Sequence, residues 1–240
     1  MNLDNLFAEE KAAGDFCFDG QVAGVFDNMV DRSVPFYQEI QRMTGEMAAS
    51  YAVPGTQLYD LGCATGTTLA LLDTLMPNSV SFTGIDNSPE MLDKCRDKFE
   101  QLGSSRDARF LCHDLREMSA LDNASVVTML LTLMFVRPLH RKMLLSSICQ
   151  GMNSGGALIL VEKVVCESPE LNRQYINYYY NMKRRHGYSE LEISQKREAL
   201  ENVLIPFTEA ENRQMLHDAG FRSVEVFFRW YNFCGMVAIK

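Results

Sequence analysis

The chain has 240 residues, 47% hydrophobic and 22% charged, with a net charge of −8. This suits one or two globular domains with a sizeable core. The acidic balance disfavours direct nucleic-acid binding, which relies on clustered Lys and Arg, and no apolar run reaches the ~18 residues that cross a bilayer.

The opening residues Met1-Asn2-Leu3-Asp4-Asn5-Leu6 lack the basic flank and apolar stretch of a signal peptide, so a cytoplasmic location is expected. The densest basic cluster, Lys183-Arg184-Arg185-His186, is one helical turn and reads as a solvated face. The cysteines at 17, 63, 95, 112, 149, 166 and 234 form no Cys-x-x-Cys pair and read as reduced, mostly buried thiols. With the four histidines also dispersed, no metal site is expected.

Residues 1–56 precede the first strand and show helical patterns over 22–29 and 35–52. Residues 57–163 then alternate short apolar runs with helices, the signature of a parallel sheet of βαβ units. Strands are predicted at 57–61, 80–85, 108–112, 125–131 and 157–161. Helices are predicted at 67–75, 89–102 and 138–152. Ser88-Pro89-Glu90 supplies an N-cap, a first-turn proline and a first-turn acid for the second of these. Residues 164–205 depart from the alternation: two polar helical segments, 169–185 and 189–203, flank His186-Gly187-Tyr188 and predict a cap over the sheet. A helix at 208–219 closes on Gly220. Residues 223–231 and 233–239 alternate as an antiparallel edge hairpin. The expected fold is α/β: a single Rossmann-like domain with a mostly parallel seven-stranded sheet, as in class I S-adenosyl-L-methionine (SAM)-dependent enzymes.

The turn Tyr59-Asp60-Leu61-Gly62-Cys63-Ala64-Thr65-Gly66 joins the first strand to a helix. Glycine lets backbone approach a ligand, and a helix start offers free N–H groups. Such a turn can hold a dinucleotide pyrophosphate or the amino-acid end of SAM. The spacing Gly62-x-x-x-Gly66 lacks a middle glycine, and Ala64 stands there. Asp86 closes the second strand, where an acid can accept from both ribose hydroxyls, and Asp114 closes the third, where it can meet the adenine amino group. Three acids at the carboxyl ends of three consecutive strands point to an adenosyl ligand. Asp60 before the turn and the terminal hairpin favour SAM over NAD.

Several stretches resemble the carboxy-S-adenosyl-L-methionine synthase family. They are Arg32-Ser33-Val34-Pro35 with Tyr37, Tyr59 to Cys63, Ile85-Asp86-Asn87-Ser88-Pro89, and Gly187 to Arg197 followed by Leu200-Glu201-Asn202-Val203. The first turn is generic to SAM enzymes, whereas the 187–203 run is specific to the family. The resemblance implies conversion of SAM and prephenate to carboxy-SAM and phenylpyruvate, for tRNA wobble-uridine modification by a separate enzyme. In that scheme prephenate loses CO2 and hydroxide, and the sulfonium methyl is deprotonated and captures the CO2. The resemblance also implies a homodimer, and a ligand site of Tyr37, Gly62, Cys63, Ala64, Gly66, Asp86, Asn87, Asp114 and Leu115. Arg197 would pair with the new carboxylate, in the bidentate manner of guanidinium. The chain departs from the family at Leu130 (Asn in relatives), Met134 (Gln), Ala64 (Ser) and Phe228-Arg229-Trp230. The apolar replacements leave a small-molecule methyltransferase as the alternative reading.

Overall fold

The computed structural model describes residues 2–10, 12, 14–118 and 120–240. Two helices come first. α1 (Gly20–Ser33) starts at Asp19, whose carboxylate accepts from the N–H groups of Gln21 (2.9 Å) and Val22 (3.0 Å). That cap satisfies two donors which a helix start otherwise leaves free. α2 (Tyr37–Tyr51) buries Ile40, Thr44 and Ala48, one face at a spacing of four. It begins two residues later than the pattern predicts because Phe36 takes a left-handed φ of 52°.

The sheet is built from β1 (Gln57–Leu61), β2 (Ser81–Asp86), β3 (Ala108–Cys112), β4 (Ala124–Leu130) and β5 (Met152–Val165), linked by α3 (Thr67–Leu75), α4 (Pro89–Leu102) and α5 (Pro138–Gly151). After β5 come α6 (Pro169–Arg185), α7 (Glu190–Leu200), a two-residue β6 (Phe207–Thr208) and α8 (Glu209–Ala219). The hairpin of β7 (Ser223–Trp230) and β8 (Phe233–Ile239) ends the chain. The strand order is β3-β2-β1-β4-β5-β8-β7, with β6 beside β5. β1 to β5 run parallel, and β8 returns antiparallel to β5. Between β1 and β4 the order reverses, which opens a crevice at the carboxyl ends of the strands.

Each face of the sheet carries its own core. Val127, Met129, Leu158 and Leu160 pack with Leu144, Ile148 and Leu216 of α5 and α8. Leu58, Phe82, Val126 and Ile159 pack with Leu69, Leu72, Leu92 and Phe99 of α3 and α4. β4 is buried from Ala124 to Met129, as a strand covered on both faces must be.

The structure differs from the sequence expectation mainly in β5. The predicted strand began at Ala157 because Asn153-Ser154-Gly155-Gly156 reads as a turn. In the structure those residues continue the strand. Gly155 (φ 78°) sits where the β4–β5 register shifts between Ala124 and Val126, and its N–H donates to Lys240 O at 3.0 Å. A glycine pair here marks an irregularity inside a strand rather than its start. α7 also stops at Leu200, three residues before the predicted end.

Candidate functional site

A cavity of about 700 Å³ opens at the carboxyl ends of β1, β2 and β4 and runs under α6 and α7, within the usual size range of small-molecule sites. Tyr37, Gly62, Cys63, Ala64, Asp86, Asn87, Asp114 and Leu115 all line it. Gly66 ends the turn without facing the cavity. Arg197 is not brought to the cavity of its own chain. It is exposed on α7, and the neighbouring Lys196 faces inward instead. At 3.6 residues per turn, adjacent helical positions point about 100° apart.

Gly62 and Gly66 have φ of 78° and 77°, a region costly for other residues. A Cβ on Gly62 would stand 2.3 Å from Thr132 Oγ1, and one on Gly66 would stand 2.5 Å from Cys95 Sγ. The glycines are thus required by packing against protein, on β4's following loop and on α4. The position without the expected glycine is solved differently. Ala64 adopts φ 46° and its N–H donates to Asp86 Oδ2 at 2.9 Å. Asp27, from α1, secures the rest of the turn by accepting from Thr65 Oγ1, Thr67 Oγ1 (3.1 Å) and Lys98 Nζ (3.0 Å). Gly66 supplies no side-chain cap to α3, so that helix start has N–H groups to offer an anion.

The three strand-end acids occupy different environments. Asp60 is fully buried, and burial pushes its carboxyl up to about 7 although Thr128 Oγ1 donates to it at 2.7 Å. Asp86 is raised by burial as well, while the N–H groups of Ser88 (2.9 Å) and Ala64 oppose the rise. A carboxylate has about four acceptor positions, and the Asn87 N–H takes a third, so Asp86 keeps one for a ribose hydroxyl. Asp114 is held below the usual carboxylate range by hydrogen bonds from Arg116. That pair is half exposed, so it yields readily to a ligand.

Beyond the turn the cavity becomes apolar. Tyr37, Leu130, Leu131, Tyr179 and Phe233 pack there around Val30, Val34 and Val161. Leu131, also lining the cavity, has a left-handed φ of 57° and donates its N–H to Val161 O at 2.6 Å. Strained non-glycine backbone of this kind clusters at functional sites. The loop after it is fixed by two buried charges that sequence reading passed over. Arg141, 1% exposed, donates to Val136 O (2.8 Å), Met134 O (3.2 Å) and Ile205 O (2.6 Å). Glu162 is pushed up to about 8 by burial, against the pull of Arg141 and of the Leu133, Met134 and Thr132 N–H groups. Lys163, Tyr179 and Lys196 were likewise missed as cavity residues. They lie on elements remote from the turn, Lys163 on β5, Tyr179 on α6 and Lys196 on α7, and a sequence signal existed only for Lys196, a basic residue beside the inward-facing Ile193 and Ala199 of the cap.

The sheet order, the glycine turn and the strand-end acids define a class I SAM-dependent methyltransferase fold. Residues 58–156 match the model of a methyltransferase domain. An O-methyltransferase family protein from Burkholderia thailandensis superposes with a TM-score of 0.64 at 18% identity over 92% of this chain. The apo S-adenosylmethionine-dependent methyltransferase SibL gives 0.57 at 16% identity over 85%. The chain spans about three fifths of each of those two structures, 60% and 57%. Among curated relatives, the carboxy-S-adenosyl-L-methionine synthase of Methylococcus capsulatus is 51% identical over the whole of both chains. That of Escherichia coli K12 is 41% identical over 99% of this chain and 96% of its own. The chain belongs to the carboxy-S-adenosyl-L-methionine synthase family, enzymes for which SAM is the bound substrate.

Proposed function

We propose that this chain converts SAM and prephenate into carboxy-SAM and phenylpyruvate. The observation that carries the reading is a single cavity that joins an adenosyl cradle to an apolar, aromatic-lined chamber. When bound, SAM supplies the methyl carbon that takes up the CO2 prephenate loses, while the hydroxide prephenate also loses departs as water with the methyl proton. The chain's own residues bind and shield. Asp86 holds the ribose through its remaining acceptor position, and the α3 start takes the amino-acid carboxylate. Asp114 and the Leu115 N–H address the adenine. Tyr37, Leu130, Leu131 and Phe233 keep bulk water from the methyl group, so that CO2 released in the cavity meets carbon rather than solvent.

The working unit in this proposal is a cytoplasmic homodimer. Arg197, exposed and without an ion-pair partner among the described residues, reaches the second subunit's cavity and grips the new carboxylate. The product serves carboxymethyl transfer to tRNA by another enzyme, and the −8 net charge suits a protein that does not itself hold RNA. Mass spectrometry of the protein with SAM and prephenate tests the reaction: equal amounts of carboxy-SAM and phenylpyruvate are expected, and the absence of both overturns it. Leu130 and Met134, which place apolar groups in the cavity where relatives carry amides, favour the second reading, methyl transfer to an apolar acceptor. Accumulation of S-adenosylhomocysteine in place of carboxy-SAM would select it.

A further inference from the structure

The far end of the cavity holds more positive charge than the chain neutralises. Lys163 at the end of β5 and Lys196 on α7 both line it. Lys183 on α6 lies behind them, 4% exposed. Aromatic rings alternate with the ammonium groups. Lys163 Nζ stands 4.9 Å from the Tyr179 ring, and Lys183 Nζ stands 5.8 Å from Tyr179 and 4.9 Å from Tyr188. Lys196 Nζ stands 5.7 Å from Tyr188. Arg32 also lies over the Tyr188 ring, at 4.0 Å. Ring faces attract cations but do not neutralise them.

Two carboxylates face these four cations. Asp4, 2% exposed, accepts from the Tyr188 hydroxyl at 2.5 Å and lies 3.8 Å from Lys196 Nζ, beyond hydrogen-bond range. Glu192 is committed to its capping box with Ser189. Lys196 Nζ, on a residue 6% exposed, has no hydrogen-bond partner among the described residues. Three lysines against two carboxylates leave an excess of positive charge, to which the half-exposed Arg32 adds, and buried charge is stable only when paired.

We propose that Lys163 and Lys196, backed by Lys183, hold the two carboxylates of a dianionic dicarboxylate co-substrate. The inference rests on the reading of the cavity given above and assigns residues to its second substrate. It also explains the state of the lysines when no anion is present. Burial lowers Lys163 to about 8, Lys183 to about 7 and Lys196 to about 8. For Lys183 the neighbouring lysines add to the fall while Asp4 and Glu192 oppose it, and for Lys196 Arg32 adds to it. Tyr179 and Tyr188, both raised by burial, stay neutral. Near pH 8 the cluster therefore sheds protons when empty and regains them when a dianion enters.

Calorimetry on the S-adenosylhomocysteine-loaded protein tests this, because that ligand lacks the methyl group and cannot turn over. Prephenate, and malonate as an unreactive dicarboxylate, are titrated at pH 8.5 in two buffers of different ionisation enthalpy. Net proton uptake is expected on binding. Lys163→Gln and Lys196→Gln should each lose roughly 10- to 100-fold in prephenate affinity, the scale of a charge-assisted contact. Both should keep S-adenosylhomocysteine affinity within threefold, raise KM for prephenate more than they lower kcat, and be partly rescued at position 196 by Lys196→Arg. Lys183→Met should melt no lower than the unsubstituted chain without ligand, whereas a purely structural lysine would lower the melting temperature. If prephenate is turned over but the Gln variants bind it within twofold and no proton is taken up, the lysine assignment is overturned and the reaction stands. If prephenate is not turned over yet malonate binds with proton uptake that the variants lose, the lysine site stands and the proposed reaction falls.

Discussion

The two ends of the cavity are made in opposite ways. At the turn end the lining is Gly62, Ala64 and the carboxylates of Asp60, Asp86 and Asp114, supplied by the ends of consecutive strands between Asp60 and Leu115. At the other end it is ammonium groups and aromatic rings, drawn from β5, α6, α7 and the hairpin, with Asp4 from the far N-terminus behind Lys196. One end is a local device repeated along a βαβ unit, and the other exists only after distant segments have packed. The comparison teaches that backbone geometry suited to a nucleoside is encoded in short motifs, while accumulated buried charge suited to a second, anionic substrate is not.

The comparison can be broken at several points. The largest effect is expected from Gly62→Ala. A positive φ and a Cβ 2.3 Å from Thr132 Oγ1 should together cost about 2–5 kcal/mol of stability. Thermal melts should show the loss, with SAM affinity falling in parallel; an unchanged melt would mean that the turn is not held by packing. Asp86→Asn comes next. It keeps the shape but removes the charge and one acceptor, so titration calorimetry should find SAM bound roughly 10- to 100-fold more weakly. Wild-type affinity in that variant would remove Asp86 from the ribose.

Leu130→Asn places an amide in the cavity wall. One added hydrogen bond is worth about 0.5–1.5 kcal/mol, so SAM should bind several-fold tighter, and weaker binding would show that this wall has repacked around leucine. A pH effect follows for Glu162. Its folded-state value, raised from 4.5 to about 8, means that the folded protein holds a proton the unfolded chain releases. Its contribution to stability is full below pH 4.5 and disappears as pH rises to about 8. The melting temperature should therefore fall more steeply over that window in the unsubstituted protein than in Glu162→Gln, and equal slopes would refute it. The smallest effect is expected from Ala64→Gly. It relieves a left-handed alanine at the price of backbone entropy, so stability should change by less than about 1 kcal/mol.

Much of the cavity's glycine-turn end was legible in the sequence. Gly62 and Gly66, Asp86 and Asp114 announced themselves because strand-end acids and glycine turns occupy fixed places in a βαβ chain. Their detailed reasons were not legible. The glycines clear Thr132 and Cys95, contacts made across the fold, and the missing middle glycine is offset by Asp86 holding Ala64. Arg197 was legible as a family residue but its direction was not, since one helical step separates an exposed guanidinium from a buried ammonium at Lys196. β5 was read short because a glycine pair carries the same local signal at a turn and at a bulge.

The sequence by itself determined the α/β alternation, the boundaries of most helices and the glycine turn with its strand-end acids. Those follow from periodicity, capping and short-range backbone chemistry, all of which act within a few residues. Tertiary structure alone decided which charges are buried together. The cost of an unpaired ammonium depends on the groups packed around it, and for Lys183 and Lys196 those include Asp4, with Arg32 also beside Lys196, from the opposite end of the chain.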